Sequence, residues 1–188
     1  TSVNTPPDRS WDFGDGTMST DQNPSHTYTA AGIYTVTLTA TNAYGSDTKT
    51  MTDLITVYES GPYYIRTYDD LCKVGTGVDG WTLDADYIQT ADIQCPAGAS
   101  FTPIGTRDWF TGSYDGRGYV IRDLFIDMPD SWDVGLFRMV YDGAVITNVT
   151  LEEFSITAKG EIGGLVGWLD HVAPVVIENC TVSGTISG

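Results

Sequence analysis

Basic residues are scarce in this sequence. Nine Lys plus Arg stand against 25 Asp plus Glu among 188 residues, a formal net charge of -16 at pH 7. A surface of that sign repels phosphate backbones and anionic headgroups, so nucleic acid is not expected as a partner. Histidine is scarcer: His26 and His171 are the only two, and any Ser-His or Cys-His nucleophile would have to use one of them. Neither a G-x-S-x-G elbow nor an H-E-x-x-H motif is present. Three cysteines, Cys72, Cys95 and Cys180, are too few for a disulfide-dense scaffold and lack the C-x-x-C spacing of a zinc or redox site. No apolar run approaches the roughly 18 residues of a membrane span, and the opening TSVNTPPDRS carries no charged-then-apolar leader, so direct membrane insertion is not expected.

What remains is ample for a core: 41% apolar residues and 12% aromatics, with 21 glycines for turns. The first third reads as short strands. Tyr34, Val36, Leu38 and Ala40 alternate with Thr35, Thr37 and Thr39, the period of a strand with one buried face. A second strand over Thr48 to Val57 follows the turn at Asn42 to Gly45, which predicts a hairpin. Upstream, Trp11 and Phe13 share one face of a strand that ends in Gly14-Asp15-Gly16, a turn whose glycines permit positive φ.

Those residues carry a resemblance. WDFGDGT, then NPSHTY at Asn23 to Tyr28, then AGIYTVTLTATNAYGS at Ala31 to Ser46 closely resemble the PKD domain, an immunoglobulin-like β-sandwich. The resemblance implies a structural role. Asp12 and Asp15 should brace the turn through backbone hydrogen bonds, His26 to Tyr28 should open the next strand, and none of these residues is expected to catalyse anything. A whole PKD domain carries two further strands before the tryptophan strand, so the sandwich is expected to be partial. Either the sequence is a cut from something longer, or a strand from another copy completes the sheet.

The turn-rich Glu59-Ser60-Gly61-Pro62 marks a boundary, giving expected domains at 1–60 and 61–188. Beyond it, Tyr64 to Val74 predicts one short helix with Thr67 as N-cap ahead of Asp69 and Asp70. Only strands are expected after that, at Trp81 to Leu83, Tyr87 to Gln89, Phe110 with Tyr114, Tyr119 to Ile121, and Leu124 to Ile126. A repeat then appears. Val134-Gly135-Leu136-Phe137 followed by Val145 to Leu151 is echoed by Ile162 to Gly167 followed by Val176 to Val182, a period of about 28 to 31 residues. A unit that short must stack on its neighbour, which predicts a β-solenoid with Asn148 and Asn179 at matching corners, hydrogen-bonded from coil to coil. This region, about residues 62 to 188, resembles the GLUG-repeat family in the order of its motifs. Tyr64 to Leu71 matches the entry segment, Tyr87 to Ile93 a following strand, and Pro103-Ile104-Gly105 with Phe110 to Ile121 the "PIG … FTGxxDGxGxxI" stretch. That resemblance implies secreted or cell-surface proteins of bacteria and archaea, with roles in adhesion or wall architecture.

Candidate sites are few. Asp15, Asp21, Asp47 and Asp53 can supply hard oxygen donors to calcium, or serve as solvated loop residues. Trp81, Trp109, Trp132 and Trp168 can stack on sugar rings, or pack in the core. Cys72 and Cys95 lie in one stretch and can pair in an oxidising compartment, while Cys180 reads as a small buried hydrophobe. Carboxylates at Asp84, Asp86, Asp115, Asp123 and Asp127 invite comparison with β-helical polysaccharide lyases and hydrolases. The bases near them, Arg107, Arg117 and Arg122, are too strongly protonated to abstract a proton. The expected function is therefore a non-enzymatic extracellular structural or adhesive module, needing no cofactor beyond optional calcium and self-assembling through open strand edges and coil ends. Its expected partners are other copies, neighbouring domains of a longer surface protein, and surface glycans. The alternatives are a carbohydrate-binding adhesin and, after it, a polysaccharide lyase or hydrolase.

Overall fold

A computed structural model describes residues 8–58, 61–106, 108–170 and 172–188. The chain divides into two compact units, Thr1–Ser60 and Gly61–Gly188.

In the first unit, alternation and turn chemistry build a single antiparallel sheet among the described residues. Its strands are β1 (Asp8–Asp12), β2 (Met18–Ser19), β3 (Gly32–Asn42) and β4 (Gly45–Val57), in the order β2-β1-β3-β4. β3 and β4 form the hairpin, with Val36 opposite Met51 and Leu38 opposite Lys49. Trp11 lies opposite Leu38 on the same face. The other face is a threonine array in which Thr37 meets Thr50 and Thr39 meets Thr48. Phe13 and Val36 are the buried apolar residues among the described residues of this unit. One expectation fails in detail: His26 to Tyr28 form no strand, and β3 begins only at Gly32. The side chains of His26 and Tyr28 are committed to closing the preceding turn, where Tyr28 donates to the Phe13 carbonyl at 3.0 Å.

The second unit is a solenoid. It opens with β5 (Tyr63–Ile65), then α1 (Tyr68–Lys73), where the predicted helix lies. Thr67 and Asp70 form a reciprocal capping box, the Thr67 hydroxyl accepting from the Asp70 amide and the Asp70 carboxylate accepting from the Thr67 amide. Residues 81–83 differ from expectation. They follow a 3-10 turn, Val78–Gly80, and run as loop, because the Trp81 amide is taken by the Val78 carbonyl. The coils then follow as β6 (Asp86–Gln89), β7 (Ile93–Gln94), β8 (Ser113–Asp115), β9 (Val120–Arg122), β10 (Phe125–Met128), β11 (Phe137–Val140), β12 (Val145–Thr147), β13 (Thr150–Ala158), β14 (Val166–Leu169), β15 (Val176–Glu178) and β16 (Thr181–Ser187).

All solenoid pairings are parallel and fall into three sheets. One runs β5-β6-β8-β12-β15, a second runs β10-β13-β9-β7 with β16 also pairing β13, and a third pairs β11 with β14. Val134 lies beside Ile162, Phe137 beside Val166 and Val145 beside Val176, so the repeat read from the sequence is the height of one coil. Parallel register stacks like on like: Tyr87, Tyr114 and Ile146 form one column, Ile93, Ile121 and Leu151 another. These columns are the core, and their members here are buried. Polar residues turn the corners. Asn148 and Asn179 both hold φ near +55°, as do Asp123, between β9 and β10, and Glu153, at a register shift within β13. Asparagine tolerates that left-handed conformation better than most residues.

Candidate functional site

The two ends of the solenoid differ. At the N-terminal end, Ile65, Leu71 and Val74 are buried, and α1 carries Leu71 over the first coil. At the C-terminal end each column stops on an exposed residue: Ile177 is 38% exposed, Val182 45% and Ile186 48%. Their partners one coil below, Ile146, Leu151 and Ile156, are fully buried. Among the described residues β14, β15 and β16 each pair with one neighbour, and the outward edge of each has no strand partner. The polar corner is built in the same way. Asn148 donates to the Asp115 carboxylate at 2.9 Å, and Asn179 donates to the Asn148 side-chain oxygen at 3.4 Å. The ladder therefore ends on Asn179, which is exposed. Cys180 beside it packs partly against the core and directs its thiol at the Glu178 carbonyl.

In the sheet unit, Asp15 closes a compact network. Its carboxylate accepts from the Thr17 amide at 3.0 Å and hydroxyl at 2.6 Å and meets His26 Nε2 at 2.7 Å. The His26 ring stacks on Phe13 at 4.2 Å. The Thr17 hydroxyl above all, then His26 and the Thr17 amide, overcome a counteracting burial effect and hold the Asp15 carboxyl down at about 2. Asp12 braces the same turn by accepting from the Gly14 amide at 2.8 Å. Gly14 itself is obligatory, with φ +81° and the Thr35 carbonyl 2.5 Å from where a Cβ would sit.

The other calcium candidates lie apart from Asp15. Asp21 follows β2, where its carbonyl accepts from the Trp11 indole, and Asp47 lies near the start of β4. Asp53 occupies a bulge in β4, with φ +52° and its amide bonded to the Thr35 hydroxyl. Among the described residues no three His, Cys, Asp or Glu come together in a group that could hold a metal ion.

The four solenoid tryptophans occupy different settings. Trp81 is half-buried against Tyr63 and Tyr87 at 5.0 and 5.6 Å, with the Lys73 ammonium over its ring at 5.7 Å. Trp132 lies across Gly160, where a Cβ would fall 2.1 Å from the ring, and remains half-exposed. Trp168 on β14 is also exposed, beside Met139. Trp109 lines a cleft. That cleft holds about 490 Å³, and Trp109 and Tyr141 form one wall with ring centroids 5.2 Å apart. Asp84, Asp108 and the threonines at 76, 82 and 111 supply polar groups around it. Tyr141 and Asp108 carried no signal in the sequence until the register was known. Phe110 bridges Val140 across one coil, which brings their neighbours Trp109 and Tyr141 side by side.

Cys72 and Cys95 are free thiols, one exposed and one buried. Burial, then the neighbouring Cys72 and Asp123, push the Cys95 thiol up to about 12, and burial also raises Cys72. Both are therefore held protonated and poorly nucleophilic. Three of the five candidate solenoid carboxylates are likewise engaged. Asp86 accepts from the Ser113 hydroxyl at 2.6 Å, Asp123 from the Gln94 amide group, and Asp115 from Asn148 and the Arg117 amide. Arg122 bridges Asp92 and Glu152 at 3.3 and 3.2 Å. Asp127 is exposed and shows only a backbone bond, its amide donating to the Ser100 hydroxyl. Arg107 and His171 lie outside the described residues.

The PKD domain family matches residues 2–57. Halomucin of Haloquadratum walsbyi is 34% identical over 179 residues, covering 83% of this chain and 2% of that protein. Collagenase ColA of Bacillus cereus is 42% identical over 146 residues, covering 68% of this chain and 15% of that protein. Pre-pro-metalloprotease PrtV of Vibrio cholerae is 39% identical over 77 residues, covering 40% of this chain and 8% of that protein. The chain thus spans a small part of the length of each relative. No solved structure matches. The first unit is a PKD domain of immunoglobulin-like type, and the second is a β-solenoid.

Proposed function

We propose that this chain is a non-catalytic structural module of a longer extracellular surface protein, in which the PKD unit is a spacer and the solenoid, built of GLUG-type coils, extends by receiving a further coil of the same pattern on its open face. The observation that carries this reading is the contrast within each apolar column, buried through the inner coils and exposed at Ile177, Val182 and Ile186. Unpaired parallel strand edges beside exposed apolar residues attract another strand, and the Asn179 side chain offers the next rung of the ladder. Similarity to halomucin and to parts of a collagenase and a pre-pro-metalloprotease supports the extracellular setting. So does the acidic composition, which keeps a surface hydrated. Among the described residues no helix is long and apolar enough to cross a membrane.

The covering coil comes from another copy when the chain is alone. Light scattering with electron microscopy, across protein concentration and with calcium added or chelated, should show defined oligomers or filaments. The triple variant Ile177→Lys, Val182→Lys, Ile186→Lys should remain a folded monomer, because charges on the open face oppose strand addition. A wild-type chain that stays monomeric at every concentration would sink the proposal. Loss of assembly on chelation alone would assign the contact to calcium instead of to the open coil.

A further inference from the structure

Beyond a spacer role, the cleft at Trp109 has the makings of a binding site. Its wall is made by two aromatic rings from successive coils, tilted 49° to one another, so that they form a shallow V rather than a flat stack. Asp142, the neighbour of Tyr141, accepts the amides of Val172 and Ala173, which pins the segment carrying that ring. The Asp108 carboxylate accepts from the Trp109 amide, which fixes the other ring and its acid together. Asp84 is exposed and also lines the cleft, and among the described residues no hydrogen bond or ion pair occupies its carboxylate. Apolar ring faces, two acceptor-only carboxylates and three hydroxyls are therefore presented to one open volume.

We propose that this cleft binds a neutral pyranose unit of a polysaccharide, with Trp109 and Tyr141 against the apolar C–H face of the ring and Asp84 and Asp108 accepting from its hydroxyls. A pyranose has the matching amphipathy, one face of C–H groups and a rim of O–H donors, and aromatic rings with a polar border suit such a body. Charge decides the class of sugar. No Lys, Arg or His lines the cleft among the described residues, and two carboxylates do, so uronate and sulfated chains are repelled. The other exposed tryptophans lack this setting: Trp132 and Trp168 do not line this cleft.

The test is affinity electrophoresis, followed by calorimetry, with soluble mannan, mixed-linkage glucan and galactan set against polygalacturonate and alginate. At least one neutral polysaccharide should retard the chain saturably, and the two polyuronates should not. Trp109→Ala should weaken binding about tenfold or more, as expected for a central aromatic anchor. Because Trp109 is half-buried and its loss can disturb the coil, Asp84→Ala provides a second variant. It removes an exposed carboxylate with no partner among the described residues, so binding should fall several-fold while the thermal midpoint is unchanged. Trp168→Ala should bind as wild type does. Binding to none of the neutral chains overturns the proposal, as does equal binding of the polyuronates or an equal loss in Trp168→Ala.

Discussion

The PKD unit and the solenoid use the same element, the β-strand, and stabilise it by different means. Among the described residues two apolar side chains are buried in the first unit, whereas the second seals a single cluster of 24 residues. In the PKD sheet the long edge strand β4 is exposed along nearly its whole length, and order rests on the ladder with β3 and on the polar turn network around Asp15. In the solenoid each coil is held by the apolar column it shares with its neighbours. The difference teaches where each unit should fail. Removing apolar volume should damage the solenoid most, and disturbing a charge should be felt most sharply in the PKD turn.

The largest effect is expected at Phe137. Its ring is fully buried and contacts both Phe110 at 4.9 Å and Tyr114 at 5.5 Å, in the coil below. Phe137→Ala should cost about 3–5 kcal/mol through lost burial and the cavity left behind. Denaturant unfolding followed by far-UV circular dichroism, with the Trp11 indole resonance read separately by NMR, should show the solenoid transition moving while the PKD transition stays. A joint shift of both would show that the units do not unfold independently and would break the comparison.

An intermediate effect is expected at the ladder. Asn148→Ala removes the donor to Asp115 and the acceptor from Asn179, and it places alanine at φ +55°. A loss of about 1–3 kcal/mol is expected from the unsatisfied polar groups, with backbone strain added. Asn148→Gly keeps the conformation and loses only the hydrogen bonds, so it should be the milder of the two in thermal unfolding. Equal losses would mean that the corner needs the side chain and not the backbone angle.

Much of this was legible in the sequence, and the reason lies in local chemistry. The hairpin over β3 and β4 followed from strict alternation with threonine, and the Gly14-Asp15-Gly16 turn from residue types that admit positive φ. The coil height followed from self-similarity, since stacking in register requires that like residues recur. Thr67 announced α1 because a cap is a short-range signal. What was not legible depends on placement across coils. His26 and Tyr28 were expected in a strand because their neighbours suit one, but their side chains satisfy the turn first. Trp81 reads the same in a strand, a binding face or a half-buried loop. The pairing of Trp109 with Tyr141, 32 positions apart, became visible only once the register was fixed. An open coil end was expected from the repeat, but which residues it exposes was hidden, since burial is a property of neighbours.

The smallest and most local effect belongs to Asp15, where the PKD turn can be separated from the apolar logic of the solenoid. Its carboxyl titrates at about 2 when folded against an ordinary value of 3.8. A depressed folded value means that the unfolded chain binds the proton more readily, so the contribution is fully present above about pH 4 and fades as pH falls toward 2. Asp92 and Asp115 in the solenoid are also held low, Asp92 chiefly by the Val120 amide, while at Asp115 the upward push of burial is outweighed by Asn148 and Arg117 together. Global unfolding in acid therefore mixes the two units, and the readout must be local. The Thr17 amide resonance, bonded to the Asp15 carboxylate, should shift between pH 4 and 2 in the wild type, and Asp15→Asn should abolish that step while leaving the amide of Val120, bonded to Asp92, titrating as before. If the Thr17 step survives in Asp15→Asn, the turn is held by something other than this carboxylate, and the contrast between a charge-braced sheet and a column-braced solenoid loses its clearest support.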